Sequence, residues 1–253
     1  MGSRRIRLTV RYDGTDFAGS QIQPGARTVA GTLKTELESA LGCRVHLLFA
    51  GRTDAGVHAQ GNVCAFDADP PFPVARIPQI VGPHLPPDLE IGDAREVAAE
   101  FHPRFDATRR TYAYHLHLGE EAPICRKRYV CTAPADLDQG RLATAAEAIT
   151  GRHSFVQFCK GPTTAGKAVC DLLSAAVEPS PPELHLRFTA DRFLRHMVRL
   201  LVGALLDVAS GRASIEQLQL ALTRQREFQL RLMPPRGLTL MNVEYPSEEP
   251  DDV

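Results

Sequence analysis

The predicted order of strands and helices constrains the fold of this chain more than any other feature. Polar and apolar residues alternate over residues 4–12, which is typical of a half-buried strand. A helix follows, with Thr28 as its N-cap and Gly42 as its stop. The rest of this half reads as strands at 45–50, 62–66 and 89–98 and a helix at 74–81. The resulting order, β-α-β-β-α-β, is that of a ferredoxin-like unit.

The second half of the chain repeats this order. Its first strand covers 108–118, and a long helix capped by Asp191 extends through Ala209. A capping box at Ser214 and Gln217 begins a further helix. The other predicted elements are a helix at 137–149 and strands at 169–177, 183–190 and 238–245. We predict an α+β fold of two ferredoxin-like (βαββαβ) halves, whose mainly antiparallel sheets flank a central cleft.

These elements divide the chain into 1–105, 106–246 and an acidic tail at 247–253 that we expect to be disordered. No apolar run reaches the length of a membrane-spanning helix, and the first residues lack the apolar core of a signal peptide. The six cysteines form no C-x-x-C pair, which argues against a disulfide framework or structural zinc. A cytoplasmic location is therefore the default expectation.

The loop GRTDAGVHAQG at 51–61 is the densest cluster of chemically active residues. It places Arg52, Asp54 and His58 among glycines, which let a backbone approach a ligand closely. An ordinary polar connection between strands is the simpler interpretation. The loop is nevertheless long for a hairpin and has no Asn-Gly or Asp-Gly turn, which favours a functional role.

Residues 50–61, AGRTDAGVHAQG, resemble the signature of the tRNA pseudouridine synthase A family. Six further blocks are similar to that family, in its order and over nearly the whole chain. They are YDGTDFAG with the helix TVAGTLKTELESAL, LPPDLEI, FHPRFDATRRTYAYHL, GRHSFVQF, FLRHMVRLLVGALLDVASG and GLTLMNVEYP.

The resemblance implies an isomerase that converts uridine to pseudouridine in the tRNA anticodon stem-loop, at tRNA positions 38, 39 and 40. It implies a homodimer that binds tRNA in the central cleft and needs neither cofactor nor metal. The reaction breaks the N1–C1′ bond of uridine and joins C5 to C1′. A carboxylate can serve as nucleophile or as base in such chemistry, and the resemblance assigns that role to Asp54. The covalent and elimination routes both remain open.

The resemblance also implies four substrate-binding residues. Arg199 is the cation that an ionised Asp54 requires in a cleft, and Tyr112 stacks on uracil. Arg52 holds the flipped-out uridine, and Leu238 packs against the base.

Each of these residues also has an ordinary interpretation. Arg199 would belong to a solvated stripe with Arg192 and Arg195, three and four residues apart on one helix face. Tyr112 and Leu238 would be strand core, and Arg52 would form a local salt bridge to Asp54 or Asp67.

Arginine outnumbers lysine 25 to four, and arginine suits bidentate phosphate contacts. We expect RNA contacts from Arg4, Arg5, Arg11, Arg109, Arg110, Arg126 and Arg128. His115 and His117 lie on one strand face, but further ligands at suggestive spacing are missing, so a metal site is not predicted.

The sequence departs from the family at several positions. Ser20 stands where a tryptophan is common, and Cys170 stands where an arginine is usual. Pro103 and Asp106 replace small residues. The loss of the tryptophan puts the order of the Asp54 loop in question.

Two other functions remain open. One is a non-catalytic tRNA-binding module of the same fold. The other is a carboxylate hydrolase of a glycosidic bond, which would need a second acid near Asp54, with Asp13, Asp16 and Asp67 available.

Overall fold

A computed structural model describes residues 2–223 and 227–246. The expected acidic tail at 247–253 lies outside the described residues. The described chain forms two compact units, one of residues 2–109 and 240–246 and one of residues 110–223 and 227–239. Ten strands and five α-helices lie in this part of the chain, so the mixed α/β class is confirmed. No helix in it is long and apolar enough to cross a membrane.

The first unit is built around the strand that the alternating pattern predicts. Its elements are β1 (Arg4–Tyr12), α1 (Val29–Leu41), β2 (Leu48–Phe49), β3 (His58–Ala68), α2 (Ile77–Val81) and β4 (Leu89–Val97). β1 pairs antiparallel with β4 on one side and with β3 on the other, and β2 pairs with β3. Ile6, Leu8 and Val10 of β1 are fully buried, so this strand forms the centre of the core.

Local capping chemistry sets the bounds of α1. The Thr28 side chain accepts a hydrogen bond from the amide of Gly31, and Gly42 adopts the left-handed conformation with φ of 66°. Val29, Leu33 and Leu37 lie on the buried face. Both predicted ends of this helix are confirmed.

The second unit contains the remaining elements. They are β5 (Arg109–Leu118), β6 (Cys131–Ala133), α3 (Gln139–Ala148), β7 (Gly151–Ser154), β8 (Val169–Ser180), β9 (Glu183–Ala190), α4 (Met197–Ala209) and α5 (Ile215–Leu222). The strands β5, β9, β8 and β7 are neighbours in that order and antiparallel, and β6 pairs parallel with β5. The last strand, β10 (Leu238–Glu244), begins in this unit and ends in the first. The short strands β6 and β7 were not predicted.

Two of the differences from the predicted boundaries affect residues considered for the site. β3 begins at His58, inside the predicted loop. The helix predicted from Asp191 begins only at Met197, because the Asp191 carboxylate accepts from the amides of Asp171 and Arg192 instead of capping a helix. Arg192 and Arg195 therefore precede α4 and do not share a helix face with Arg199.

Candidate active site

Asp54 lies in the connection between β2 and β3. Its side chain is half-buried. Thr53, directly before it, is buried, and Arg52 is exposed. The Asp54 carbonyl accepts from the amide of Val57 at 3.2 Å, and Gly56 has a φ of 76° that a residue with a side chain rarely adopts. The carboxylate is thus carried by a tight connection at the edge of the first unit's core. We call this connection, residues 51–57, the Asp54 turn.

Asn62 of β3 holds the start of this turn. Its side-chain oxygen accepts from the amide of Gly51 at 3.2 Å, and its amide nitrogen donates to the Gly51 carbonyl at 3.0 Å. The same nitrogen donates to the Tyr12 hydroxyl at 3.0 Å, which lies 2.8 Å from the Thr53 hydroxyl. A buried network whose members are all paired makes the local backbone rigid.

Burial keeps the Tyr12 hydroxyl in its neutral form. The loss of water raises the pKa of Tyr12 to about 12, although its hydrogen bonds to Thr53 and Asn62 act in the opposite direction. The phenol therefore serves as a hydrogen-bonding link within this network.

Ser20 holds the residue directly before Asp54. Its hydroxyl accepts from the amide of Thr53 at 2.9 Å, and its own amide donates to the Thr53 carbonyl at 3.1 Å. The Ser20 side chain is fully buried. Gly19 fits beside it because a Cβ there would lie 2.9 Å from the Thr53 carbonyl oxygen. The serine that replaces the family's tryptophan thus supports the Asp54 turn directly.

His58 contributes to the end of the same turn. Its Nδ1 lies 3.0 Å from the amide of Gly14 and 3.1 Å from a carboxylate oxygen of Asp13. A side chain at Gly14 would collide with the carbonyl of Val57. The buried His58 thus holds the segment Asp13–Gly14 against the end of this turn.

Arg52 remains on the surface. Within residues 2–223 and 227–246 it forms no ion pair, and Asp67 pairs with Arg5 at 2.7 Å. The alternative of a local salt bridge for Arg52 is therefore wrong.

Arg199 lies in the first turn of α4 in the second unit. Its side chain is buried, with a relative exposure of 8%, and its Nε donates to the Met233 carbonyl at 2.6 Å. The segment at Arg231 crosses α4 so closely that a side chain at Gly203 would collide with it. This burial contradicts the interpretation of Arg199 as part of a solvated stripe.

Tyr112 and Tyr114 of β5 differ in their surroundings. The Tyr112 ring is in edge contact with Phe193 at 5.1 Å. The Tyr114 hydroxyl lies 2.9 Å from the Pro234 carbonyl, and its ring packs so closely on Gly237 that a Cβ there would lie 2.7 Å from it. Burial raises the pKa of Tyr114. Tyr114 is thus a core residue, and Leu238, which follows Gly237, is also buried.

Several arginines expected to contact RNA are already paired. Arg110 is buried and donates to the Asp191 carbonyl at 2.6 Å, and its expected RNA contact stays a prediction. Ion pairs join Arg4 to Glu96, Arg5 to Asp67, Arg11 to Glu90, Arg109 to Glu244 and Arg126 to Glu183. Cys170 is buried on β8, so it supplies no exposed substitute for the family's arginine.

The pairing of β5 with β9 brings together ligand types that sequence spacing did not reveal. His115 lies opposite His185, and their nitrogens and a carboxylate oxygen of Glu183 all lie within 4.8 Å of one another. Arg126 donates to both oxygens of Glu183, at 2.7 and 2.8 Å, and this hydrogen bonding lowers the pKa of Glu183. A guanidinium thus already neutralises the carboxylate that a metal ion would need.

Comparison with known proteins was consistent over nearly the whole chain. A family model described as tRNA pseudouridine synthase matches residues 8–106 and 145–246. The chain is 39% identical to tRNA pseudouridine synthase A of Solibacter usitatus over 96% of this chain and 100% of that protein. It is 36% identical to the proteins of that name from Geobacillus sp. and Geobacter sp., over 96% of this chain and 99% of each. On this evidence the chain belongs to the tRNA pseudouridine synthase family.

Proposed function

We propose that this chain converts uridine to pseudouridine in the tRNA anticodon stem-loop, at positions 38, 39 and 40, with Asp54 as the catalytic residue. The observation that carries the proposal is the Asp54 turn, in a chain of this family. A half-buried carboxylate is presented by a backbone that buried side chains hold on both sides.

The reaction is an isomerisation, so every atom of the uridine is retained. The N1–C1′ bond breaks, the uracil turns, and a bond forms between C5 and C1′, while the C5 proton moves to N1. Asp54 acts on the flipped-out nucleotide as nucleophile or as base. A fixed carboxylate lowers the entropic cost of reaching a reactive geometry, which can account for several kcal/mol of a barrier.

We propose substrate-binding roles for four further residues. Tyr112 stacks on the uracil, Leu238 supplies apolar contact, and Arg199 is the site's buried cation. Arg52, exposed beside Asp54, holds the nucleotide in its flipped conformation. The chain needs no cofactor or metal for this chemistry, since no electron or group is exchanged with a second molecule.

We also propose that each unit is ferredoxin-like and that the enzyme is a cytoplasmic homodimer. The neighbour order β4, β1, β3, β2 with antiparallel pairing supports the assignment of the first unit. A homodimer would offer a long tRNA more surface than one chain.

Mapping of pseudouridine on an unmodified tRNA transcript tests the proposal. Wild type should produce carbodiimide-dependent primer-extension stops in the anticodon stem-loop, and Asp54→Asn should produce none while binding tRNA equally. Asp67→Asn, which changes an exposed carboxylate on β3, is the matched control and should keep the activity. Binding without product from wild type would favour the non-catalytic module, and release of free uracil would favour the hydrolase.

A further inference from the structure

The segment 102–106 forms a closed turn from its own residues. The amide of His102 donates to the Asp106 carboxylate at 2.8 Å, and the amide of Asp106 donates back to the His102 carbonyl at 3.1 Å. The amides of Arg104 and Phe105 lie 3.1 and 3.3 Å from His102 Nδ1. Four hydrogen bonds within five residues fix the backbone of this turn.

The turn is also attached firmly to the first unit. The Tyr245 hydroxyl donates to the Pro103 carbonyl at 2.7 Å. The Tyr245 ring packs on the buried Phe101 at 5.0 Å between centroids, and the Arg7 guanidinium lies 4.5 Å from its centre. The apex of the turn is therefore presented by a rigid base.

Phe105 at this apex has a relative exposure of 74%. It is the one aromatic among the large exposed apolar side chains of the described residues; the others are Ile22, Ile124 and Leu173. Its ring lies 4.3 Å from the His102 ring, and the Arg104 guanidinium carbon lies 5.7 Å from its centre.

A single exposed apolar residue needs no explanation. An exposed ring on a fixed turn, beside a second ring and a guanidinium, is the arrangement on which nucleic-acid bases stack.

We propose that the 102–106 turn is a stacking platform for an unpaired base of tRNA, with Phe105 as the contact. This inference rests on tRNA being the partner, as the proposed function has it. Stacking uses the face of the ring and is tolerant of base identity, so the platform adds affinity and register at a point separate from the reacting uridine. The backbone that carries the ring is fixed before binding, so little backbone entropy is lost on contact.

Replacement of the ring tests the platform. Affinity for unmodified tRNA is measured by fluorescence anisotropy over a range of KCl concentrations. Phe105→Leu, which keeps apolar volume and removes the π-face, should weaken binding about tenfold, because stacking contributes about 1–3 kcal/mol per base. Phe105→Trp should stay within about twofold of wild type. The salt dependence should not change, since stacking releases no counterions.

Ile124→Ala is the matched control, since Ile124, at 82%, is the most exposed of the large apolar side chains among the described residues. It should leave affinity unchanged. Wild-type affinity for Phe105→Leu would overturn the platform, as would equal losses for Phe105→Leu and Ile124→Ala. A change of oligomeric state in Phe105→Leu, seen by sedimentation, would show that the ring contacts protein instead and would also overturn it.

The test of the platform and the test of the proposed function can fail independently. If wild type forms pseudouridine and Phe105→Leu binds tRNA normally, the platform fails and the function stands. If wild type forms no pseudouridine but Phe105→Leu binds weakly, the function fails and the platform stands.

Discussion

The two turns of the first unit that we propose as functional are held in opposite ways. The Asp54 turn takes its hydrogen bonds from Ser20 and Asn62, which lie on other elements, whereas the 102–106 turn is closed by its own His102 and Asp106. The position of the Asp54 carboxylate therefore depends on the packing of the whole unit. The 102–106 turn is closed by its own five residues and receives one further hydrogen bond from Tyr245, so changes in its own side chains should stay local.

Of the substitutions that test this contrast, Asn62→Ala should cause the largest loss of stability and activity. It removes the partners of the Gly51 amide and carbonyl and of the Tyr12 hydroxyl, and a buried unsatisfied group costs about 1–3 kcal/mol. We expect a loss of about 3 kcal/mol in the free energy of unfolding, measured by urea denaturation, together with most of the activity. The exposed Asn242→Ala should change stability by less than about 0.5 kcal/mol. Equal stability of the two variants would show that the network does not support the turn.

Tyr12→Phe, which removes a hydroxyl of the same network, should change how the free energy of unfolding depends on pH. The phenol of the unfolded chain ionises near pH 10, whereas the pKa of Tyr12 in the folded chain is about 12. Between these values the unfolded state releases a proton that the folded state retains, so the stability contributed by Tyr12 is present below pH 10 and is lost as pH rises to 12.

The expected size of this effect follows from the pKa difference. The stability advantage of wild type over Tyr12→Phe should fall by at most about 3 kcal/mol across this window, since one pKa unit corresponds to about 1.4 kcal/mol. Urea denaturation of both proteins from pH 8 to 12 measures it. A difference that stays constant over this range would contradict the burial of the phenol.

Ser20→Ala should separate the position of Asp54 from stability. The substitution leaves the buried Thr53 amide without its acceptor, at a cost of about 1–2 kcal/mol. Because Thr53 precedes Asp54, we expect about a tenfold loss in kcat with KM nearly unchanged, well below the melting temperature. Ser174→Ala, at an exposed serine of the second unit, is the control. A lower melting temperature with unchanged kcat would limit Ser20 to a structural role.

Local chemistry explains what could be predicted from the sequence. Thr28 and Gly42 predicted the ends of α1, and Ser214 with Gln217 predicted the start of α5, because each cap uses residues within one turn. The start of α4 predicted at Asp191 was wrong because the Asp191 carboxylate accepts from the amide of Asp171, 20 residues earlier in the chain.

The hydrogen bonds that hold the Asp54 turn could not be predicted from the sequence, for the same physical reason. These hydrogen bonds join residues that are 11 to 50 positions apart, and the spacing of residues along the sequence does not predict such pairs. One signal was available, since Asn62 is a polar residue at the start of the apolar run NVCAF. A buried amide in that position needs partners, and the neighbouring loop is where they lie.

Asp106→Ala should have the smallest effect, and it tests the other side of the comparison. It removes the carboxylate that accepts from the His102 amide, a partly exposed bond worth about 0.5–1 kcal/mol. We expect a stability loss no larger than this and an unchanged kcat at saturating tRNA, because the carboxylate that is removed accepts from His102 of its own turn, whereas Ser20 and Asn62 hold the Asp54 turn. Affinity for tRNA should fall about two- to threefold as Phe105 loses its fixed position. Asp106→Asn, which keeps an acceptor oxygen, should restore it. A loss of kcat in Asp106→Ala would show that the two turns are coupled through the core and that the contrast between them is false.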